Sequence, residues 1–247
     1  MRVSVITVTY NSEKYLEDCI LSVMQQSHND IEHIIVDGGS SDGTLDIIRK
    51  YEGRISKWIS EPDRGMYDAI NKGIKLSTGD VLGILNSDDI YASPGVVGEI
   101  VEAFEKNNIE SLYGDLQYVD PEDLSRIYRN WKGKPYRRGL FRSGWMPAHP
   151  TFYIKRSLIE KFGYYENHYY SAADYEFMAR YLYKNRVSSF YLPVLIVKMR
   201  RGGQSNNNLK KRLRANRRDY LAMKKNGIPF PLIVSVLKPL SKLHQYI

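Results

Sequence analysis

Two aspartates, Asp88 and Asp89, follow the apolar run Val81-Leu82-Gly83-Ile84-Leu85 after only Asn86 and Ser87. A short apolar run between turn signals is the pattern of a strand buried on both faces of a parallel sheet. Carboxylates that surface where such a strand stops lie at its carboxyl end, where open α/β sheets hold their ligands. Side by side at neutral pH, two aspartates repel unless a cation or hydrogen-bond donors offset them. A hard divalent ion shared with a substrate diphosphate would do so, because Mg²⁺ takes one or two carboxylates plus phosphate oxygens. The same pair also has a plainer use as a helix N-cap. It precedes Pro94-Gly95 and the apolar spacing Val97, Ile100, Val101, Phe104.

The elements that must position these groups alternate along the first 85 residues. Residues 3–8, 31–36, 55–59 and 81–85 read as strands. Between them lie a helix with the stripe Leu16, Ile20, Val23 and Met24, capped by Asn11 or Ser12, and one opened by Thr44 with Leu45 and Ile48 inward. A third helix spans 67–75, with Ile70 and Ile74 on one face. This order implies a parallel sheet with right-handed crossovers. Strand one then delivers Thr9-Tyr10, strand two Asp37, and strand four Asp88-Asp89 to a single edge. A lone aspartate after a strand is usually a turn former, but three strand ends converging make a polar site from distant residues.

Beyond Glu99 the pattern is mixed. Strand-like pieces occupy 111–119, 126–131, 151–154 and 190–199, with short helices near 158–162 and around Phe177, Tyr181 and Leu182. The stretch 126–142 holds seven basic residues, no acid, and the aromatics Tyr128, Trp131, Tyr136 and Phe141. At 247 residues and 43% apolar content the chain can bury a core as one α/β domain. Its single cysteine, Cys19, falls on an apolar helix face and suits a reduced protein without disulfides. A leader peptide is not expected, because the chain enters a strand at Val3. No apolar run reaches the roughly 20 residues that span a bilayer.

The segments Val5-Ile6-Thr7-Val8-Thr9-Tyr10-Asn11, Val36-Asp37-Gly38-Gly39-Ser40-Ser41-Asp42-Gly43-Thr44 and Leu85-Asn86-Ser87-Asp88-Asp89 together resemble glycosyltransferase family 2. Asp63-Arg64-Gly65-Met66-Tyr67-Asp68-Ala69-Ile70-Asn71-Lys72-Gly73 is similar to its O-antigen and colanic-acid branch. The resemblance is strong over 3–89 and weaker to Ser205. It implies a GT-A fold: a Rossmann-like, mainly parallel α/β sheet flanked by helices, with a smaller mixed acceptor-side part. The expected organisation is one domain over 1–205, with 1–95 binding the nucleotide-sugar donor (UDP- or GDP-linked) and 96–205 the acceptor. It further implies Mg²⁺ or Mn²⁺ and inversion at the anomeric carbon.

Residue by residue, the resemblance gives Asp37 to the donor's base, since an ionised carboxylate accepts the N–H that uracil and guanine both offer. Thr9, Tyr10 and Asn11 line the nucleoside pocket. Arg64 meets phosphate, and Asp68 meets the sugar or an arginine. The family's DxD motif falls on Asn86-Ser87-Asp88, where an amide replaces the first acid. Asp88 is then the metal ligand, Asn86 a neutral helper, and Asp89 a second ligand or a cap. Asp174 matches the general base before a helix of the second half, with Ala173 in place of the usual preceding acid. Its alternative is a helix cap, and Glu176 is the substitute base. His149 and the Gly202-Gly203-Gln204-Ser205 turn resemble segments that close over the donor, although a histidine between prolines and a glycine pair also serve as plain structure. The Gln-x-x-Arg-Trp motif of processive members is absent, so one sugar per encounter is expected.

The net charge of +8 belongs to the C-terminal segment, because residues 206–247 hold ten Lys/Arg against Asp219 alone. Leu209, Leu213, Tyr220 and Met223 recur at near-helical spacing among cations 210–225, ahead of an apolar, proline-broken stretch over 228–237. This basic amphipathic tail is expected either to lie on an anionic membrane surface or to dock as a solvated helix on the core. The first use would suit a cytoplasmic enzyme on the inner membrane face with a lipid-linked saccharide acceptor. A nucleotidyltransferase would need a glycine-rich, lysine-containing loop after strand one, and a dinucleotide oxidoreductase Gly-x-Gly-x-x-Gly; residues 9–13 are neither. A nucleic-acid binder would use the basic tail but not the clustered acids.

Overall fold

The computed structural model describes residues 1–202 and 209–240. Its first half runs β1 (Val3–Thr9), α1 (Leu16–Met24), β2 (Ile31–Asp37), α2 (Thr44–Lys50), β3 (Lys57–Ser60), α3 (Met66–Leu76) and β4 (Val81–Ile84). These four strands are parallel in the order β3-β2-β1-β4. Every residue of β1 is buried because alternate side chains feed separate cores. Ile6 and Val8 pack with Ile34 and Val36 of β2 and with Ala69, Ile70 and Ile74 of α3. Val3 and Val5 face Cys19, Val23 and Val81 instead. Gly73 lets α3 approach β1, since a Cβ there would collide with Ile6.

The second half comprises β5 (Ile90–Tyr91), α4 (Val96–Asn107), β6 (Ser111–Val119), β7 (Ile127–Trp131), β8 (Tyr153–Lys155), α5 (Arg156–Phe162), α6 (Ala173–Met178) and β9 (Ser189–Arg200). Helix α6 runs on into a π-helical stretch, Ala179–Lys184. The sheet continues through β8, antiparallel to both β4 and β6, then through β9, parallel to β6, to β5. Strand β7 pairs with β6 off this path. Gly83 makes the β4–β8 junction possible, because any Cβ would enter the Tyr153 ring. The expected strands and helices stand within a few residues of their places. Strand β5 was not expected, as two residues carry no periodicity; its pairing with Val197 and Lys198 defines it.

Two local expectations fail. Neither Asn11 nor Ser12 caps α1 with its side chain; the Ser12 carbonyl, not its hydroxyl, accepts from Tyr15 and Leu16 N–H. Asp88 and Asp89 do not cap α4, which starts after Gly95 with no side-chain cap.

The C-terminal segment forms α7 (Leu209–Lys225) and α8 (Pro231–Leu240). Ala222, Met223, Ile228 and Val234 join the core that holds α3 and α6. Helix α7 therefore docks on the body, and Met223 faces inward. The Leu209 and Leu213 side chains, and the Gly203-Gln204-Ser205 part of the expected turn, lie outside the described residues.

Candidate active site

Strands β1 and β2 end in register, Thr9 opposite Asp37, and Gly38 N–H donates to the Thr9 carbonyl at 2.9 Å. Asp37 is fully buried and organises the loop that follows it. Its Oδ2 accepts from Gly39 N (3.0 Å), Ser40 N (3.0 Å) and Ser60 Oγ (2.7 Å), and its Oδ1 from Ser40 Oγ (2.5 Å). Four donors leave that carboxylate little free capacity. The floor beside it is flat: a Cβ on Gly38 would stand 2.5 Å from an Asp63 carboxylate oxygen and 3.4 Å from the Tyr10 ring. Tyr10 is exposed, and Asp63 is half-buried next to it. Asn11 adopts a left-handed φ of 48° and clasps the same loop, accepting from Ser41 N at 2.9 Å and donating to Ser40 Oγ at 2.8 Å. Thr9 Oγ1 is buried without a hydrogen-bond partner.

The loop after β4 is joined to the turn after β1 through Ser12 Oγ and Ser87 Oγ at 3.0 Å. Here the two acids part. Asp89 is fully buried; its Oδ2 accepts from Asn86 Nδ2 at 2.8 Å and its Oδ1 meets no donor. Burial, and then the charge of Asp88, hold the Asp89 carboxyl well above the usual carboxylate range. Asp88 is half-buried, and burial pushes it upward too. Arg200, buried at the end of β9, fixes the loop by donating to the Asp88 carbonyl (3.0 Å), the Pro121 carbonyl (3.1 Å) and Asp18. Among the described residues no three His, Cys, Asp or Glu side chains gather into a metal cage. Asp88 still fits a hard ion of the kind that takes one carboxylate and draws its other oxygens from a phosphate substrate. The orphaned Asp89 oxygen is an unsatisfied acceptor in the same loop.

The third group lies where α3 meets the 3₁₀ segment Asn167–Ala172 that leads into α6. Asp68 accepts from Arg64 Nη2 at 2.9 Å and from Asn167 Nδ2 at 3.0 Å, while the Arg64 side chain is largely exposed. Of the two partners expected for Asp68, the arginine is present. Tyr67 stacks on Tyr165 with centroids 5.5 Å apart, and the Tyr165 hydroxyl and His149 Nε2 are 2.9 Å apart. His149 is buried, and burial pushes its pKa down against the opposing charge of Asp174. Burial raises both Tyr67 and Tyr165 well above the usual phenol range, and the negative charge of Asp174 adds to each. The charge of Asp174 thus acts on Tyr67, Tyr165 and His149, whose ring centroids lie within 6.5 Å of one another. The short 3₁₀ turn His149–Thr151 packs against β4 and β6, which ties these rings to the strand that leads into the Asp88 loop.

Asp174 stands in the first turn of α6, half-buried, accepting from Tyr175 N at 2.7 Å; Ala172 holds the cap position and no side chain caps the helix. Glu176 is fully buried and bonded to Arg180 at 3.0 Å and Asn226 at 3.3 Å. A carboxylate so enclosed has no access to an acceptor, so the substitute-base reading of Glu176 is corrected. Asp63, Tyr67, Tyr165, Asn167 and Arg200 were missed as site residues. Asp63 and Tyr67 lie inside the 63–73 motif that signalled them. Arg200, Tyr165 and Asn167 carried no signal.

The family model for glycosyl transferase family 2 matches residues 4–163. An uncharacterized glycosyltransferase of Mycobacterium tuberculosis is 35% identical over 181 residues, covering 72% of this chain and 68% of that protein. The PGL/p-HBAD biosynthesis glycosyltransferase of the same species is 31% identical over 208 residues, 82% of this chain and 78% of that one. Among solved structures, Staphylococcus aureus TarS superposes with a TM-score of 0.71 at 19% identity; the match covers 91% of this chain but only 39% of TarS. Pyrobaculum calidifontis mannosyltransferase PcManGT, in complex with GDP-Man and Mn²⁺, superposes with a TM-score of 0.67 at 18% identity, covering 99% of this chain and 70% of that one. The motifs at three parallel strand ends, the sheet that aligns them and these matches agree: the chain belongs to glycosyl transferase family 2 and has the GT-A fold.

Proposed function

We propose that the protein transfers one sugar per encounter, with inversion, from a nucleoside-diphosphate donor to a hydroxyl of a lipid-linked saccharide, in building a bacterial surface polysaccharide. The donor's base lies on Tyr10 above the Gly38 floor beside Asp63, while Asp37, saturated by its four donors, shapes that floor rather than meeting the base. TarS has been solved with UDP-GlcNAc and PcManGT with GDP-Man, which supports this donor class without choosing the base. The diphosphate lies over the loop after β4, where Asp88 would hold Mg²⁺ or Mn²⁺. A divalent ion there offsets the charge that develops on the departing diphosphate.

The observation that carries the reading is that Asp174 is half-open, its charge acting on Tyr67, Tyr165 and His149, while the neighbouring Glu176 is enclosed. Asp174 accepts the acceptor hydroxyl's proton as that oxygen bonds to the anomeric carbon and the carbon–phosphate oxygen bond breaks. A single displacement of this kind inverts the centre. General-base help of this sort supplies about 10²–10⁴-fold. Asp68 and Asn167, bonded to each other beside these rings, are positioned for the sugar hydroxyls once Arg64 swings to phosphate.

The test is calorimetry with UDP and GDP in the presence of Mn²⁺, alongside donor turnover. Asp88→Ala removes metal-dependent nucleotide binding. Asp174→Asn binds nucleotide as the parent does and loses turnover by about 10²–10⁴-fold; near-normal turnover in that variant would show that another group is the base.

A further inference from the structure

Helix α7 has two faces. The inward stripe, Asp219, Ala222, Met223 and Asn226, is buried. The outward stripe, Arg214, Arg217, Leu221 and Lys224, follows helical spacing and is exposed. Arg218 and Lys225 belong to neither, because Arg218 covers the Tyr170 ring at 4.2 Å and Lys225 pairs with Glu166. After Gly227 the chain turns and presents Phe230, Leu232 and Ile233, which stay 74%, 68% and 59% exposed, at the start of a helix packed against α7, whose Leu221 is 43% exposed. Phe230 has φ +53° and directly precedes Pro231, a combination that costs a bulky residue free energy. Strain that holds an apolar side chain outward points to a use for it.

We propose that the α7–α8 corner is an interfacial membrane anchor. Phe230, Leu232, Ile233 and Leu221 enter the headgroup–acyl boundary of a bilayer, and Arg214, Arg217 and Lys224 meet anionic headgroups beside them. The inference rests on the lipid-linked acceptor proposed above and specifies which surface meets the lipid. Charge selects the occupant. A second copy related by a twofold axis would set these cations against their own images, whereas an anionic bilayer accepts cations and apolar groups together. No described helix is long and apolar enough to cross a membrane, so the anchor lies in the interface. The inward face of α7 packs on α6 and on the 167–172 segment that leads to Asp174. An acceptor held in the same bilayer would thus lie on the side of the molecule built by α7 and α6, the helix that carries Asp174.

The test is co-sedimentation of the full chain with vesicles of phosphatidylglycerol and phosphatidylcholine, and with phosphatidylcholine alone. The parent chain should bind the anionic vesicles, with part of the binding surviving high salt. Replacing Phe230, Leu232 and Ile233 together by Ser should lower partitioning roughly tenfold or more. Arg214→Glu, Arg217→Glu and Lys224→Glu together should abolish the preference for anionic vesicles. The Phe230→Trp variant should show an emission blue shift on vesicle addition that the parent lacks, which tests insertion without disturbing the fold. Absence of parent binding, equal binding by the serine variant, or an unshifted emission from the Phe230→Trp variant would each overturn the proposal. So would lipid-free dimerisation that the serine variant abolishes. Slow hydrolysis of nucleotide sugars measured without vesicles tests the catalytic reading separately; its loss with vesicle binding intact would sink that reading and leave the anchor standing.

Discussion

Asp37 ends β2 and Asp89 follows β4, the two strands that flank β1, and both are fully buried, yet their surroundings are opposite. Asp37 receives four hydrogen bonds and serves as the clasp of its loop, whereas Asp89 receives one from Asn86 and keeps an unsatisfied oxygen. The amide at 86, which breaks the family's acidic motif, is thus bonded to the second acid. A third buried polar group gives a pH prediction. His33 lies 3.0 Å from Thr7 Oγ1, its Nδ1 has no partner, and burial pushes its pKa down to about 4. The unfolded chain takes up this proton near pH ~6.5, but the folded one only near its lowered value. The stability contribution is therefore complete above the unfolded value and is lost as pH falls toward the folded one, by about 3 kcal/mol. Urea midpoints measured across this range should show the loss, and His33→Gln should flatten it.

Helix α6, which carries Asp174, runs on into its π-helical extension. Arg180, in that extension, donates to the carbonyls of Phe162, Gly163 and Tyr164 as well as to Glu176. Asn226 and Lys225 at the end of α7 reach the same glutamate. A buried pair stripped of one partner leaves an uncompensated charge. Arg180→Met should accordingly cost about 3–5 kcal/mol in chemical denaturation. A cost near zero would show that the pair contributes no net stability.

For the whole molecule, the charge segregation seen in the sequence corresponds to one added helical layer. Helices α7 and α8 are packed into the main core through Ala222, Met223, Ile228 and Val234, and Lys238 reaches Asp219 at 2.7 Å. Deleting residues 206–247 would therefore uncover core side chains as well as remove cations. Scanning calorimetry should show a midpoint lower by on the order of 10 °C, from several kcal/mol of lost burial. An unchanged midpoint would mean that this layer contributes nothing to the fold.

The alternation of strand and helix, the edge on which Thr9, Asp37 and Asp88 meet, and the family itself were determined by the sequence alone. Those features rest on periodicity, turn residues and motif spacing, which are local, and on the crossover rule, which converts local order into a parallel sheet. The tertiary structure alone decided which of two nearby acids stays open. Asp174 and Glu176 both lie in the first turns of one helix, and only the arrival of Arg180 and Asn226 encloses the second. It also decided that Met223 faces inward, that Asp63 stands over Gly38, and that Asn167 reaches Asp68 across 99 positions. Hydrogen-bond saturation, protonation and the choice of buried helix face all depend on partners far away in the chain, and no local pattern encodes them.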